Sequence, residues 1–168
     1  MEMLYTENGA REKAFYMHRP FTCTLGPCNR PIVEVEDAGT GETLGFIRDP
    51  CSCFNLTFTV RDEGNNDILY ANGGCCQWGL FCPLPCGPCA TVKFNVTDTN
   101  GNDVGDIFKK VPGCCKFFFA SDVDNYRINF QGVQKPEHKA LLMALSIFID
   151  FRYFNDNRND EGADQPQE

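Results

Sequence analysis

The sequence predicts a mainly β fold: an antiparallel β-barrel, complete or incomplete, around one hydrophobic C-terminal helix. Three observations carry this prediction. Short runs that alternate apolar and polar residues recur between Ile32 and Phe130, the pattern of strands with one buried face. An internal repeat sets these runs into two similar meanders. Finally, the run Lys139 to Phe154, KALLMALSIFIDFRYF, is apolar all round rather than striped, with Ser146 the only polar residue from Ala140 to Ile149. A helix of that kind must be wrapped by protein or inserted in lipid.

The strands follow in order. Val33 and Val35 share one face, with Glu34 and Glu36 on the other, and Thr43 to Arg48 forms a second strand after the turn glycines Gly39 and Gly41. Phe54, Leu56, Phe58 and Val60 alternate with Asn55, Thr57, Thr59 and Arg61, the clearest half-buried strand. Ile68 to Tyr70 is a short strand. The stretch Gly73 to Cys89, rich in Cys, Pro and Gly, connects it to the alternating strand Val92, Phe94, Val96. Asn100-Gly101-Asn102 turns the chain into Val104 to Lys109, and Phe117 to Phe119 with Tyr126, Ile128 and Phe130 complete the set. The repeat is read from Gly26-Pro27-Cys28 and Gly87-Pro88-Cys89, and from the pairs Gly41/Gly101, Gly45/Gly105 and Cys51-x-Cys53/Cys114-Cys115.

The helix, expected over about 136–154, has Pro136 and Glu137 in its first turn and Arg152 in its last, matching the helix dipole. Its ten-residue apolar run is short of the roughly 20 residues of a bilayer span, and Asp150 would cost about 2.5–3.5 kcal/mol at mid-membrane. Asp150 and Arg152 are two apart and cannot pair on one helix face. A core helix surrounded by strands is therefore favoured over a membrane span. The expected organisation is an N-terminal segment (1–17), a barrel with its helix (18–154) and a disordered acidic tail (155–168).

Composition narrows the function. Fifteen Lys and Arg against 23 Asp and Glu give a net charge of −8, which argues against nucleic acid as a partner. Half of the excess lies after Phe154, where Asp156, Asp160, Glu161, Asp164 and Glu168 face only Arg158. Met1 to Lys13 contains no basic stretch followed by an apolar one, so a cytosolic chain with reduced thiols is expected. Eleven cysteines, an odd number, fit that expectation better than a secreted disulfide scaffold. The sequons at Asn55 and Asn95 then go unused.

Several residues could carry chemistry. Cys86-Gly87-Pro88-Cys89 has redox-pair spacing but leads into a strand, whereas thiol activation needs a helix N-terminus. Cys82, Cys86 and Cys89 with a neighbouring cysteine pair could hold structural Zn²⁺, although no clean pair of CxxC knuckles exists. Clustered thiols near a membrane-seeking surface are also acceptors of palmitate, with small buried hydrophobes as the alternative. Asp122 and Asp124, with Asn125, offer hard oxygen donors for Ca²⁺. As an EF-hand loop the stretch fails, because Arg127 replaces the turn glycine and Val133 the closing Glu; an Asp/Asn turn is the competing reading. Lys109-Lys110 is a local basic spot, and His18 and His138 show no partner pattern. No nucleophile–base set, Walker loop or HExxH occurs.

Taken together these residues resemble the phospholipid scramblase family. The match runs through His18-Arg19-Pro20-Phe21-Thr22-Cys23, Pro50-Cys51 leading into Phe58-Thr59-Val60, and Gly74 to Cys89. It continues through Val104-Gly105 with Ile107 and Lys109, Asp122-Val123-Asp124-Asn125-Tyr126, and Ile149-Asp150-Phe151. The resemblance covers roughly residues 8 to 154 and implies a tubby-like barrel around the hydrophobic helix. Relative to the family, the chain looks shortened, without a proline-rich N-terminal arm and some barrel strands.

The resemblance also implies an activity: Ca²⁺-dependent, ATP-independent, bidirectional movement of phospholipids between leaflets, at the cytoplasmic face of the plasma membrane. Ca²⁺ would bind at Asp122, Asp124 and Asn125. Palmitate would sit among Cys23, Cys28, Cys75, Cys76, Cys82, Cys86 and Cys89. Leu141, Leu142, Leu145, Phe148, Ile149 and Asp150 would form the membrane or core helix. Expected partners are membrane phospholipids, a second copy in a homo-oligomer, and other proteins. Two rival readings remain open: a non-catalytic tubby-like module that binds lipid or protein, and a zinc-stabilised interaction domain.

Overall fold

A computed structural model of the chain describes residues 2–7, 10–20, 32–50, 55–74, 77, 91–110 and 125–153. Among the described residues nine strands and one helix form a single meander. They are β1 (Glu2–Glu7), β2 (Ala10–His18), β3 (Ile32–Asp37), β4 (Thr43–Arg48), β5 (Asn55–Asp62), β6 (Asp67–Gly74), β7 (Thr91–Asp98), β8 (Asp103–Lys110), β9 (Asn125–Asn129) and α1 (Pro136–Tyr153). The strands lie in sequence order in one antiparallel sheet. Among the described residues no pairing joins β9 to β1, so the sheet is an incomplete barrel curled around α1. The N-terminal segment 1–17, which the sequence pattern left outside the barrel, supplies β1 and nearly all of β2. The strand expected at Phe117 to Phe119 lies outside the described residues.

Alternation decides the concave face. Phe15, Val33, Val35, Ile47, Phe58, Val60, Leu69, Ala71, Val92, Phe94, Val96 and Ile107 all point inward and are buried. Register aligns them into rows across the sheet. Val33 faces Ile47, Ile47 faces Val60 and Val60 faces Leu69. A second row runs Phe94–Ile107–Ile128. The helix fills this concavity: Leu141, Leu142, Ala144, Leu145, Phe148 and Ile149 are buried. The Phe58 ring sits edge-on to Phe94 and to Phe148, with centroids 6.0 and 5.9 Å away.

The internal repeat is visible as backbone geometry. Both β3–β4 and β7–β8 shift register one step before the turn, after Val35 and after Val96. Opposite those bulges stand Gly45 and Gly105. A Cβ at Gly45 would lie 2.1 Å from the Arg61 carbonyl oxygen, and one at Gly105 would lie 2.1 Å from that of Asn129. Each glycine thus lets the next strand pass closely where the sheet bends.

The turns share a device. Asp37 accepts hydrogen bonds from the backbone N–H groups of Gly39 and Thr40, and Asp98 from those of Asn100 and Asn102. Asp62 likewise accepts from Asn66. These bonds hold all three carboxyls below their ordinary range, chiefly through Thr40 and Gly39, Asn102, and Asn66 respectively. The residue turning the corner has positive φ in each hairpin: Gly41 (73°), Asn65 (61°) and Gly101 (83°).

Because the strands strictly alternate in direction, the domain has two unlike ends. The tight turns and the start of α1 lie at one. The strand ends at His18, Ile32, Arg48, Gly74, Thr91, Lys110 and Asn125 lie at the other, with the end of α1. All eleven cysteines belong to segments joining strands at this second end, and all lie outside the described residues.

Candidate functional site

Asp150 and Arg152 of the apolar helix lie where it meets the second end. Lys109 is on the inward face of β8 and is only 7% exposed. Its ammonium donates to the Asp150 carboxylate of α1. The Tyr126 hydroxyl, on β9 directly across from Lys109, donates to the same oxygen at 2.9 Å. The Lys109 ammonium also lies 5.3 Å from the centre of the Tyr126 ring, a cation–π contact. One carboxylate therefore gathers β8, β9 and α1.

Two residues further along and on another face of α1, Arg152 donates to the buried Asp49, just past the end of β4, at 3.3 Å. Asp150 and Arg152 cannot pair with each other, and each finds its partner on a strand. Lys109 and Lys110 part in the same way: adjacent in sequence, one is sealed inside and the other exposed. The ion pair at Asp150 was not legible, since its partners are 41 residues apart.

Lys110 pairs in register with Asn125, closing the base of the segment 111–124. Asp122 and Asp124 lie in that segment, outside the described residues; of Asn125 only the backbone, the first position of β9, is described. The acylation candidates Cys23, Cys28, Cys75, Cys76, Cys82, Cys86 and Cys89 also lie outside. The helix candidates Leu141, Leu142, Leu145, Phe148 and Ile149 are in the core, and Asp150 is in the polar cluster. Moving those five apolar side chains into water would cost about 10 kcal/mol in sum. Among the described residues no helix is long and apolar enough to cross a membrane, and no three His, Cys, Asp or Glu side chains are grouped to hold a metal.

At the opposite end a cleft of about 360 Å³ is rimmed by Glu42, Asp62, Glu63, Lys135, Glu137 and His138. Burial, then the nearby Lys135 charge, push the His138 imidazole below its ordinary value, against the opposing pull of Glu137 and Asp62.

An incomplete antiparallel barrel around a buried apolar helix, with its polar seat at Asp150, defines the class. The Scramblase family model matches residues 4–156, and the chain belongs to that family. It is 29% identical over 161 residues to phospholipid scramblase 2 of Bos taurus, covering 94% of this chain and 51% of that protein. It is 27% identical over 142 residues to phospholipid scramblase 4 of Mus musculus, covering 82% of this chain and 40% of the relative. With phospholipid scramblase 1 of Homo sapiens the identity is 25% over 152 residues, covering 89% and 45%. The chain thus spans about half the length, or less, of these relatives. No solved structure matches it.

Proposed function

We propose that this chain is a phospholipid scramblase-like protein mediating Ca²⁺-dependent, ATP-independent, bidirectional movement of phospholipids between membrane leaflets. The observation that carries the reading is the family match across residues 4–156, to relatives named for that activity. In this reading the chain works at the cytoplasmic face of the plasma membrane, attached through palmitate on cysteines of the second end. Ca²⁺ binds at Asp122 and Asp124 with Asn125. The Lys109–Asp150–Tyr126 cluster just inside the base of that segment gives the ion a route to the helix seat. One wrapped helix cannot line a polar path through a bilayer, so lipid movement requires assembly of several copies or release of the helix into lipid. The test is a liposome assay with the purified chain and fluorescent lipid. Ca²⁺-stimulated loss of leaflet asymmetry above empty vesicles is expected, and none would remove the activity claim.

A second reading is favoured by the burial of Leu142 and Phe148: a non-catalytic tubby-like module that binds lipid or protein with its helix permanently wrapped. Single labels at those two positions, in a background without native cysteines, separate the readings. Quenching from the bilayer on adding Ca²⁺ supports scrambling, and protection with and without Ca²⁺ supports the module. Structural Zn²⁺ belongs to a third arrangement, which metal analysis of the purified chain would reveal as stoichiometric zinc.

A further inference from the structure

We infer that the outer face of β7, β8 and β9 docks on an anionic phospholipid surface through Lys93, Lys110 and Arg127, grouped around Phe108. The inference rests on the reading of this chain as a membrane-acting protein, but not on its moving lipid. Strand alternation creates the group. Ile107 and Lys109 of β8 point into the barrel, so Phe108 and Lys110 point out. Register then places Lys93 of β7 directly beside Phe108 on one side and Arg127 of β9 on the other. Lys110 stands two residues along β8 on the same face, about 7 Å away. The Lys93 ammonium lies 5.1 Å from the centre of the Phe108 ring.

All three cations are exposed, and Phe108 is half-buried. Among the described residues none of the three takes part in a salt bridge. Asp106 is paired across the strands with Asn95 and Asn129, and with Asp103 it shares a shallow cleft with Lys93 toward the turn end of β8, so the carboxylates border the patch on one side only. The patch stands out against a chain of net charge −8. The opposite end is acidic, with Asp37, Glu42, Asp62, Glu63, Asp98 and Glu137 around the turns and the start of α1. A uniformly acidic body is repelled by an anionic membrane, so a local basic face fixes which side approaches. Charge complementarity selects anionic lipid, and a ring among cations suits the headgroup layer. This face adjoins the end whose connections carry every cysteine, so acyl chains attached there and the basic face would engage the same membrane.

Vesicle co-sedimentation of the purified, unacylated full chain tests the inference, using phosphatidylcholine with and without phosphatidylserine. Each basic side chain held at such a surface strengthens binding about fivefold. The Lys93→Ala/Lys110→Ala/Arg127→Ala variant should therefore bind phosphatidylserine vesicles about a hundredfold more weakly, with unchanged circular dichroism. Asp106→Lys should bind more tightly than the parent, and added salt should weaken the parent's binding. Equal binding of parent and triple variant would overturn the proposal. So would parent binding to neutral and anionic vesicles alike, or binding only to an acidic protein or nucleic acid. Docking without lipid movement in the liposome assay would remove the activity and leave this face intact, and movement without docking would do the reverse.

Discussion

Lys109 and Asp150 form an ion pair inside the barrel, with Lys109 7% exposed and its ammonium held between strand and helix. Taking both charges out of water is costly, and their attraction offsets that cost only while both are present. Asp150→Ala takes the carboxylate away from a buried ammonium. We expect it to destabilise the fold by about 3 kcal/mol, read as a fall in the urea midpoint. Lys109→Met/Asp150→Leu should recover most of that loss, because two apolar groups need no partner. If the double replacement is as unstable as Asp150→Ala, the pair holds the helix by more than mutual neutralisation.

The two strand glycines make a second prediction. Gly45→Ala and Gly105→Ala each drive a methyl group against a backbone carbonyl of the neighbouring strand, with approaches of 2.1 Å that no side-chain rotation relieves. Each should cost about 2 kcal/mol or more. Gly74→Ala, with nothing within 4 Å, is the control and should be close to neutral. Thermal unfolding of the three variants gives the comparison. Equal effects at all three positions would mean that the sheet bends without need of close approach.

These glycines also show why much of the fold was legible. Gly45 and Gly105 occupy matched places in a repeat that sequence alone reveals, and the inward residues of β5 and β7 follow strict alternation. The helix was legible because ten nearly unbroken apolar residues must leave water, and a run that short, with Asp150 beside it, favours wrapping by strands over a bilayer span. β1 and β2 were not, because their residues alternate weakly: Phe15 and Met17 are a short inward set between Ala14 and Tyr16, which are themselves largely apolar, so neither face stands out. The polar seat was hidden for a different reason: Asp150 reads as an intruder in an apolar run until β8 brings Lys109 to it. Asp49 and Arg152, 103 residues apart, are another pairing that only the curling of the sheet around α1 makes.

His138 gives the fold a pH dependence at the turn end. Burial and Lys135 depress its folded value below the unfolded one of about 6.5. The unfolded chain therefore binds more protons there, and stability increases with pH across the window between the two values. The contribution is complete above about pH 6.5 and is lost as pH falls through the lower folded value. Asp37, Asp62 and Asp98 act further down the scale. Their carboxyls are depressed by turn hydrogen bonds, so their contribution is full above about pH 3.9 and fades only below it. Melting temperatures between about pH 8 and about pH 5 isolate the histidine from these carboxylates. The parent should lose stability on acidification, and His138→Gln should flatten that slope while leaving the fall at lower pH. A parent and variant with the same slope would assign the dependence to another group.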